Sequence, residues 1–307
     1  MGGLDRRNPL RAAAAAGRAA VAVGAARRAL RRRRADAVMG GGGFVAGPAG
    51  MAAISMRVPF VLTEADSHLG LANRLLAGRA RRVCLAFPIP GREGDRYLLT
   101  GRPVPRGVLE ADRAASRRRF AIAADERCLL VFGGSQGSRS INLSAIEAFA
   151  ETRGRDFHVL HLAGSRDYPE LRDRLERAPA ADRYTLLEYE PDLGDCLAAC
   201  DLVLARAGGS IFEVAAAGRP AILVPYPHAT ADHQGANAAW MAEAGAAIVV
   251  ADAELVAAGL TARVGELLAD SPRLKRMATA SRAIAKPDAA ARIATEILAA
   301  TTLTTED

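Results

Sequence analysis

The sequence predicts an α/β protein built from two doubly wound, open parallel sheets, and three observations predict it. Short apolar runs such as C-L-L-V-F and D-L-V-L-A alternate with Ala-rich stretches of helical length. Unbroken apolar runs belong to strands buried on both faces, which is the condition helices impose when they cover a parallel sheet. Gly-rich turns stand between the runs, where a strand would hand over to a helix. The chain has 307 residues, 50% of them hydrophobic, which is enough for two compact cores and too much for one small one.

Taken in order, residues 8–34 read as one helix, with Asn8 as a possible cap and Pro9 in the first turn. Residues 37–39 read as a strand that runs into four glycines, 48–55 as a helix opened by Pro48, and 59–63 as a buried strand. Residues 69–77 then read as a helix and 83–86 as a strand. That makes βαβαβ, about half a doubly wound domain, with three strands. The Pro-, Gly- and Arg-rich stretch 88–106 reads as a last loop and a linker, followed by a connecting helix over 107–123. Strands are expected at 128–132, 157–162, 184–187, 202–205, 221–224 and 246–250, a complete six-strand sheet. A helix after Pro287, over 287–300, ends the chain. The domains are therefore expected at 1–106 and 107–286, with the last helix packing back on the first domain.

Charge is uneven. Ten arginines (6, 7, 11, 18, 27, 28 and 31–34) face only Asp5 in residues 1–34, a local +9 that leaves the remainder at −2 against a total of +7. The basicity belongs to one segment, which argues against a nucleic-acid binder and for an anionic surface met by that segment. No stretch is apolar for the roughly 18 residues a membrane span needs, and no leucine-rich core follows the basic start as in a signal peptide. Cys84, Cys128, Cys196 and Cys200 form no C-x-x-C pair and read as buried, reduced thiols. His158 and His161 are three apart in a strand and so face opposite sides, which suits no metal site.

Three loops carry the chemistry. Residues 40–43, 133–138 and 207–210 are Gly-rich, follow strands and lead into helices. Helix N-termini offer free N–H groups to a diphosphate, and glycine lets the backbone come close to it. None is a P-loop, and none is a G-x-G-x-x-G with an acid about twenty residues on, which disfavours a dinucleotide oxidoreductase. Ser210 and Glu213 fit a capping box; the alternative is that Glu213 accepts hydrogen bonds from ribose hydroxyls. In 228–237, Asp232 can cap a helix, and Gln234 and Asn237 share a helical face, an arrangement that suits either a capped polar turn or a sugar.

The motifs G-G-G-G-F-V-A-G-P, E-A-D-S-H-L-G-L-A-N-R-L-L-A, T-G-R-P-V, G-G-S-Q-G-S-R-S-I-N, R-A-G-G-S-I-F-E-V-A-A-A-G-R-P-A-I-L-V-P and D-H-Q-x-x-N-A occur in one order over nearly the whole chain. As a set they resemble the MurG family of bacterial cell-wall glycosyltransferases. The resemblance implies a GT-B fold, two Rossmann-like domains with a cleft between them. It implies inverting transfer of N-acetylglucosamine from UDP-N-acetylglucosamine (UDP-GlcNAc) to an undecaprenyl-linked muramoyl-pentapeptide, by a peripheral enzyme at the cytoplasmic face of the inner membrane. It also implies that Ser135 and Gln136 meet the diphosphate and that Gly208, Gly209, Ser210 and Ile211 line the nucleotide. Glu213 would bind ribose, Asp232 and Gln234 the GlcNAc hydroxyls, and the backbone near 189–190 uracil. Gly41, Gly42 and Gly43 would lie on the acceptor side. No metal or other cofactor is implied.

The chain departs from the family's pattern in places. Thr63-Glu64-Ala65-Asp66 stands where H-E-x-N is usual, so Asp66 replaces an amide near the sugar. Arg106 is displaced by one residue from the family's donor-side arginine. The family's opening G-G-T-G-G-H-x-x-P-A loop has no counterpart, which predicts an incomplete N-terminal domain and poor transfer or none. The general base is left open, with Glu64 and Asp66 as candidates. A UDP-sugar transferase acting on diacylglycerol, or a donor-binding subunit that needs an N-terminal partner, would share the same donor loops.

Overall fold

The computed structural model of the chain describes residues 9–229 and 232–302; the Asn8 cap lies outside them. The chain divides into two compact units, Met1–Pro103 with Asp288–Asp307, and Val104–Pro287.

In the first unit, helix α1 (Pro9–Arg33) leads to strand β1 (Val38–Gly40). Arg31, Arg32 and Arg33 fill the last turn of α1, where cations complement the helix dipole. Helix α2 (Gly43–Met56), β2 (Phe60–Glu64), α3 (Leu71–Leu76), β3 (Arg82–Leu85) and β4 (Tyr97–Leu99) follow. The strands form one parallel sheet in the order β1-β2-β3-β4. Period-two alternation places Phe60, Leu62, Val83 and Leu85 in a core with Val38, Ala53 and Leu76. Val61 and Cys84 point the other way, against Ile293 and Ala300 of the last helix, α13 (Ala289–Thr302). An Arg82–Glu296 ion pair (3.1 Å) adds to this contact. The sheet is therefore covered on both faces, the second by the end of the chain.

Two expectations are corrected here. Among the described residues the unit has four strands rather than three. Tyr97-Leu98-Leu99 is too short to be read alone, and pairing with β3 (Val83 against Tyr97) makes it a strand. Helix α2 begins at Gly43, five residues before Pro48, which sits inside it. Pro48 cannot donate to the Phe44 carbonyl, but Phe44 is exposed, so water can satisfy that group.

The second unit opens with two short helices, α4 (Arg106–Glu110) and α5 (Arg113–Arg119), where one over 107–123 was expected. Asp112 separates them: its carboxylate accepts from the Ala115 N–H (2.8 Å) and so caps α5. Then come β5 (Arg127–Phe132), α6 (Arg139–Phe149), β6 (Phe157–Leu162), α7 (Tyr168–Leu175), β7 (Tyr184–Leu187) and α8 (Leu193–Ala199). They are followed by β8 (Leu202–Ala205), α9 (Ile211–Ala216), β9 (Ala221–Leu223), α10 (His233–Glu243), β10 (Ala247–Val249), α11 (Ala257–Ala269) and α12 (Ser271–Ile284). All six strands are parallel, in the order β10-β9-β8-β5-β6-β7. One large core runs along the sheet and takes in Leu129, Val131, Ile146, Phe149, Val159, Leu202 and Ile222. Chain order runs outward from β5 on one side and outward from β8 on the other. The crevice between these two strands is thus the topological switch point, where doubly wound sheets place ligands.

Candidate functional site

Two of the Gly-rich loops flank that switch point. Residues 133–138 leave β5, and 206–210 leave β8. In the first, a Cβ on Gly133 would overlap the backbone of Ser138, so the chain can fold back only on glycine. Gly134 and Gly137 take positive φ (91° and 74°), and the Gly137 N–H donates to the Gly134 carbonyl (2.9 Å). This tight turn delivers the chain to the N-terminus of the eleven-residue α6, whose first N–H groups have no acceptor within the helix.

Arg206 straps the loops together. Its Nε donates to Ser138 Oγ (2.8 Å), Nη2 to Ser140 Oγ (2.8 Å), and Nη1 to the Val224 and Pro225 carbonyls (3.2 Å each). Nη1 also pairs with Asp252 (2.6 Å), with the arginine side chain only 11% exposed. One planar guanidinium thus ties the exits of β5, β8 and β9 into a single rim.

Beneath the rim lies a cavity of about 310 Å³. Gly134 and Ser135 contribute from β5, Gly164 from β6, Glu188, Tyr189 and Glu190 from β7, and Ser210 and Glu213 from β8 and α9. Every one of them follows the carboxyl end of a strand. The volume is at the small end of the range for organic ligands, roughly 300–1,000 Å³. Glu190 is buried and held: Arg119 pairs with one oxygen (2.6 Å), and the Asp192 N–H donates to the other (3.0 Å). Pairing with Glu190, then Asp195, raises the pKa of Arg119, which stays a cation.

The residues expected to act divide into three groups. Ser135, Ser210 and Glu213 line the cavity together. Gln136 is exposed on the same loop as Ser135, and Gly208 and Gly209 sit in the half-buried turn before Ser210. Ile211, Asp232, Gln234 and Arg106 are not among the residues that line the cavity. The Ile211 side chain is fully buried in the core, so only its backbone can face a ligand. Asp232 has φ 51° and makes no capping bond to α10; its carboxylate lies over Gly235 instead. Gln234 Oε1 accepts from the Tyr226 N–H (2.9 Å), which fixes the turn after β9. Arg106 extends from α4 with its side chain 90% exposed, paired with Glu110. Ser210 makes no side-chain capping bond either, so the capping box expected with Glu213 does not form: Ser210 already has helical backbone angles (φ −65°, ψ −11°), with no turned-out cap geometry.

In the first unit, Gly41, Gly42 and Gly43 form the turn between β1 and α2, with positive φ at Gly42 (81°) and Gly43 (70°). Glu64 ends β2 and is buried; it accepts from the Asp66 N–H (3.2 Å), the Gly70 N–H (2.8 Å) and Asn73 Nδ2 (2.9 Å). A carboxylate so engaged organises its loop and is poorly placed as a base. Asp66 is exposed.

Arg206, Asn142 and Asn73 also organise these loops, and no local pattern in the sequence marks them. Asn142 Nδ2 reaches Asp167 (2.9 Å) and Asn73 Nδ2 reaches the Thr63 carbonyl (3.0 Å), each a partner ten or more positions away. His161 does carry a local signal, since it and His158 are polar residues in an apolar strand.

The fold and the loop geometry suit a protein that binds a nucleotide sugar, and comparison with known proteins gives the class as glycosyltransferase. Residues 128–293 match the glycosyltransferase family 28 C-terminal domain, and residues 2–85 match its N-terminal domain. A Moorella thermoacetica UDP-N-acetylglucosamine--N-acetylmuramyl-(pentapeptide) pyrophosphoryl-undecaprenol N-acetylglucosamine transferase is 41% identical over 83% of this chain and 71% of its own. The Halothermothrix orenii protein of the same name is 38% identical over 80% and 69%. The crystal structure of Acinetobacter baumannii MurG superposes with a TM-score of 0.74 at 28% identity, over 90% of this chain and 77% of that one. A Neisseria meningitidis UDP-GlcNAc 2-epimerase bound to UDP-GlcNAc shares the fold alone (TM-score 0.67, 14% identity, 91% and 80%). The chain belongs to glycosyltransferase family 28 and, within it, to the MurG family.

Proposed function

We propose that this chain transfers N-acetylglucosamine from UDP-GlcNAc to undecaprenyl-linked muramoyl-pentapeptide, converting lipid I to lipid II in peptidoglycan synthesis. The observation that carries the reading is the cavity at the switch point, where Ser135 of the Gly-rich loop, Ser210 and Glu213 meet. It supports a diphosphate held by the 134–138 turn and the first N–H groups of α6, with ribose hydroxyls donating to Glu213. Tyr189 and Glu190 supply the backbone against which uracil stacks and bonds.

In the reaction the acceptor sugar's hydroxyl attacks the anomeric carbon as the bond to the β-phosphate oxygen breaks. The electron pair leaves with UDP, the configuration inverts, and a base takes the hydroxyl proton. Charge develops on the departing diphosphate, where preorganised N–H donors do most for the rate. Of the two candidate carboxylates at the end of β2, Glu64 is engaged by three donors and Asp66 is exposed, which makes Asp66 the better candidate for the base. No step calls for a metal.

The acceptor in this reading is a membrane lipid, and two features of the first unit support contact with an anionic membrane. Phe44, Val45, Leu71 and Leu75 are exposed apolar residues on α2 and α3. Arg57, Arg79, Arg81, Arg82 and Arg96 line a basin of about 550 Å³ on the same unit. Among the described residues no helix is long and apolar enough to cross a membrane. With a nucleotide sugar as donor and a membrane lipid as acceptor, the reading is a peripheral enzyme on the cytoplasmic face. Its test is a transfer assay with labelled UDP-GlcNAc and a soluble lipid I analogue, with diacylglycerol as a second acceptor. Label in the lipid II analogue only when both substrates are present supports the reading. Label carried to diacylglycerol alone, or released as free sugar regardless of acceptor, contradicts it.

A further inference from the structure

A file of four buried side chains lies under the 133–138 loop: Tyr184, His161, Asn142 and Asp167. The direction of every hydrogen bond in it can be worked out. Asn142 faces the Ala163 carbonyl (2.8 Å) and an Asp167 carboxylate oxygen (2.9 Å) with one end of its amide. Both partners are acceptors, so that end is the NH2, and the reverse orientation would set oxygen against oxygen twice. The other end, Oδ1, therefore faces His161 Nε2 (3.0 Å), and Nε2 must carry the hydrogen. In the neutral ring Nδ1 then has the lone pair, and it accepts from the Tyr184 hydroxyl (2.7 Å). Protons point one way through the file, from Tyr184 to the loop.

What Asn142 holds is the backbone beside the cavity. Ala163 and Gly164 form the turn after β6. A Cβ on Gly137 would overlap the Ala163 carbonyl, and one on Gly164 would come within 2.5 Å of the Gly137 nitrogen. The two turns are in direct backbone contact. Gly164, Gly134 and Ser135 all line the cavity. An amide that rotated would release the Ala163 carbonyl and loosen both turns at once.

We propose that His161 is a positioning residue for the diphosphate loop: its neutral Nε2–H tautomer locks the Asn142 amide, which clamps the Ala163–Gly164 turn against the Gly134–Gly137 turn. The proposal rests on the donor-site reading given above. A histidine that only fills the core would stabilise the fold and leave ligand affinity alone.

The two ring nitrogens can be tested separately, because a glutamine side-chain amide reaches the Nε2 position and an asparagine the Nδ1 position. UDP binding to the full chain would be measured by calorimetry, alongside thermal unfolding, for wild type, His161→Gln and His161→Asn. His161→Gln keeps a donor toward Asn142 and retains UDP affinity within about threefold. His161→Asn loses it and weakens UDP by about tenfold, the worth of one good hydrogen bond. Lower stability in both variants with unchanged UDP affinity would overturn the proposal alone. A wild-type chain that binds neither UDP nor pyrophosphate would overturn the donor reading and the proposal together. A second measurement needs no variant. The 15N spectrum of the His161 ring should show the neutral Nε2–H form throughout about pH 5–8, where an ordinary imidazole titrates. An Nδ1–H form, or a titration in that range, would overturn the assignment.

Discussion

Replacing Arg206 by leucine removes the strap across three loops at once. The guanidinium makes four hydrogen bonds and an ion pair with Asp252 at 2.6 Å, and the two side chains are 11% and 25% exposed. Removing one partner of a buried pair costs about 3–5 kcal/mol, because the other charge is left uncompensated. Asp252 keeps partial access to water and still accepts from Ser140 Oγ (2.7 Å), so part of that loss is recovered. The expectation is a loss of about 2–4 kcal/mol in unfolding free energy. Arg206→Lys keeps the charge opposite Asp252, but one ammonium cannot span Ser138, Ser140 and two carbonyls, and about 1–2 kcal/mol should be lost. Urea unfolding with a common m-value measures both, and UDP titration on the same samples reads the rim. The reasoning fails if Arg206→Leu unfolds within about 0.5 kcal/mol of wild type, the range of an ordinary surface change.

Further outcomes follow from the same geometry. Glu213→Ala should weaken UDP-GlcNAc by about 1.5–3 kcal/mol in calorimetry, the range for a hydrogen bond to a charged group. Ser210→Ala should leave thermal stability within about 0.5 kcal/mol, because the Ser210 side chain makes no capping bond. Burial pushes the His161 imidazole down to about 3 from an ordinary 6.5. The unfolded ring therefore binds a proton that the folded one refuses throughout that interval. Stability should fall as pH drops from 6.5 toward 3, by an amount on the order of 4 kcal/mol, and His161→Gln should flatten that part of the profile in acid unfolding. The chain should co-sediment with anionic vesicles and lose this binding as salt rises. Equal sedimentation after deletion of residues 1–34 would show that their arginines do not contribute.

The strands most legible in the sequence were the central ones. Arg127–Phe132 and Leu202–Ala205, neighbours at the middle of the second sheet, stand where the unbroken apolar runs C-L-L-V-F and L-V-L-A placed them, since burial on both faces leaves no room for polar residues. Tyr97–Leu99 was hidden because an edge strand of three residues owes its conformation to β3. The Gly-rich loops were legible because their φ values and close approaches exclude other residues, as at Gly133 and Gly137. Side-chain roles were less so. Ser210 and Glu213 matched a capping pattern that the backbone angles at Ser210 do not use. Glu64 looked available until Gly70 and Asn73, six and nine residues on, were seen to occupy it. Arg206 and Asn142 act through partners brought close only by the order of the sheet.

The most direct test is calorimetric titration of the chain with UDP-GlcNAc, UDP and GDP-mannose. The account predicts one site per chain for UDP-GlcNAc and for UDP, no comparable binding of GDP-mannose, and loss of the UDP-GlcNAc heat in the Glu213→Ala, Ser135→Ala double variant. Absence of UDP-GlcNAc binding by the wild-type chain, or equal binding of GDP-mannose, would contradict it.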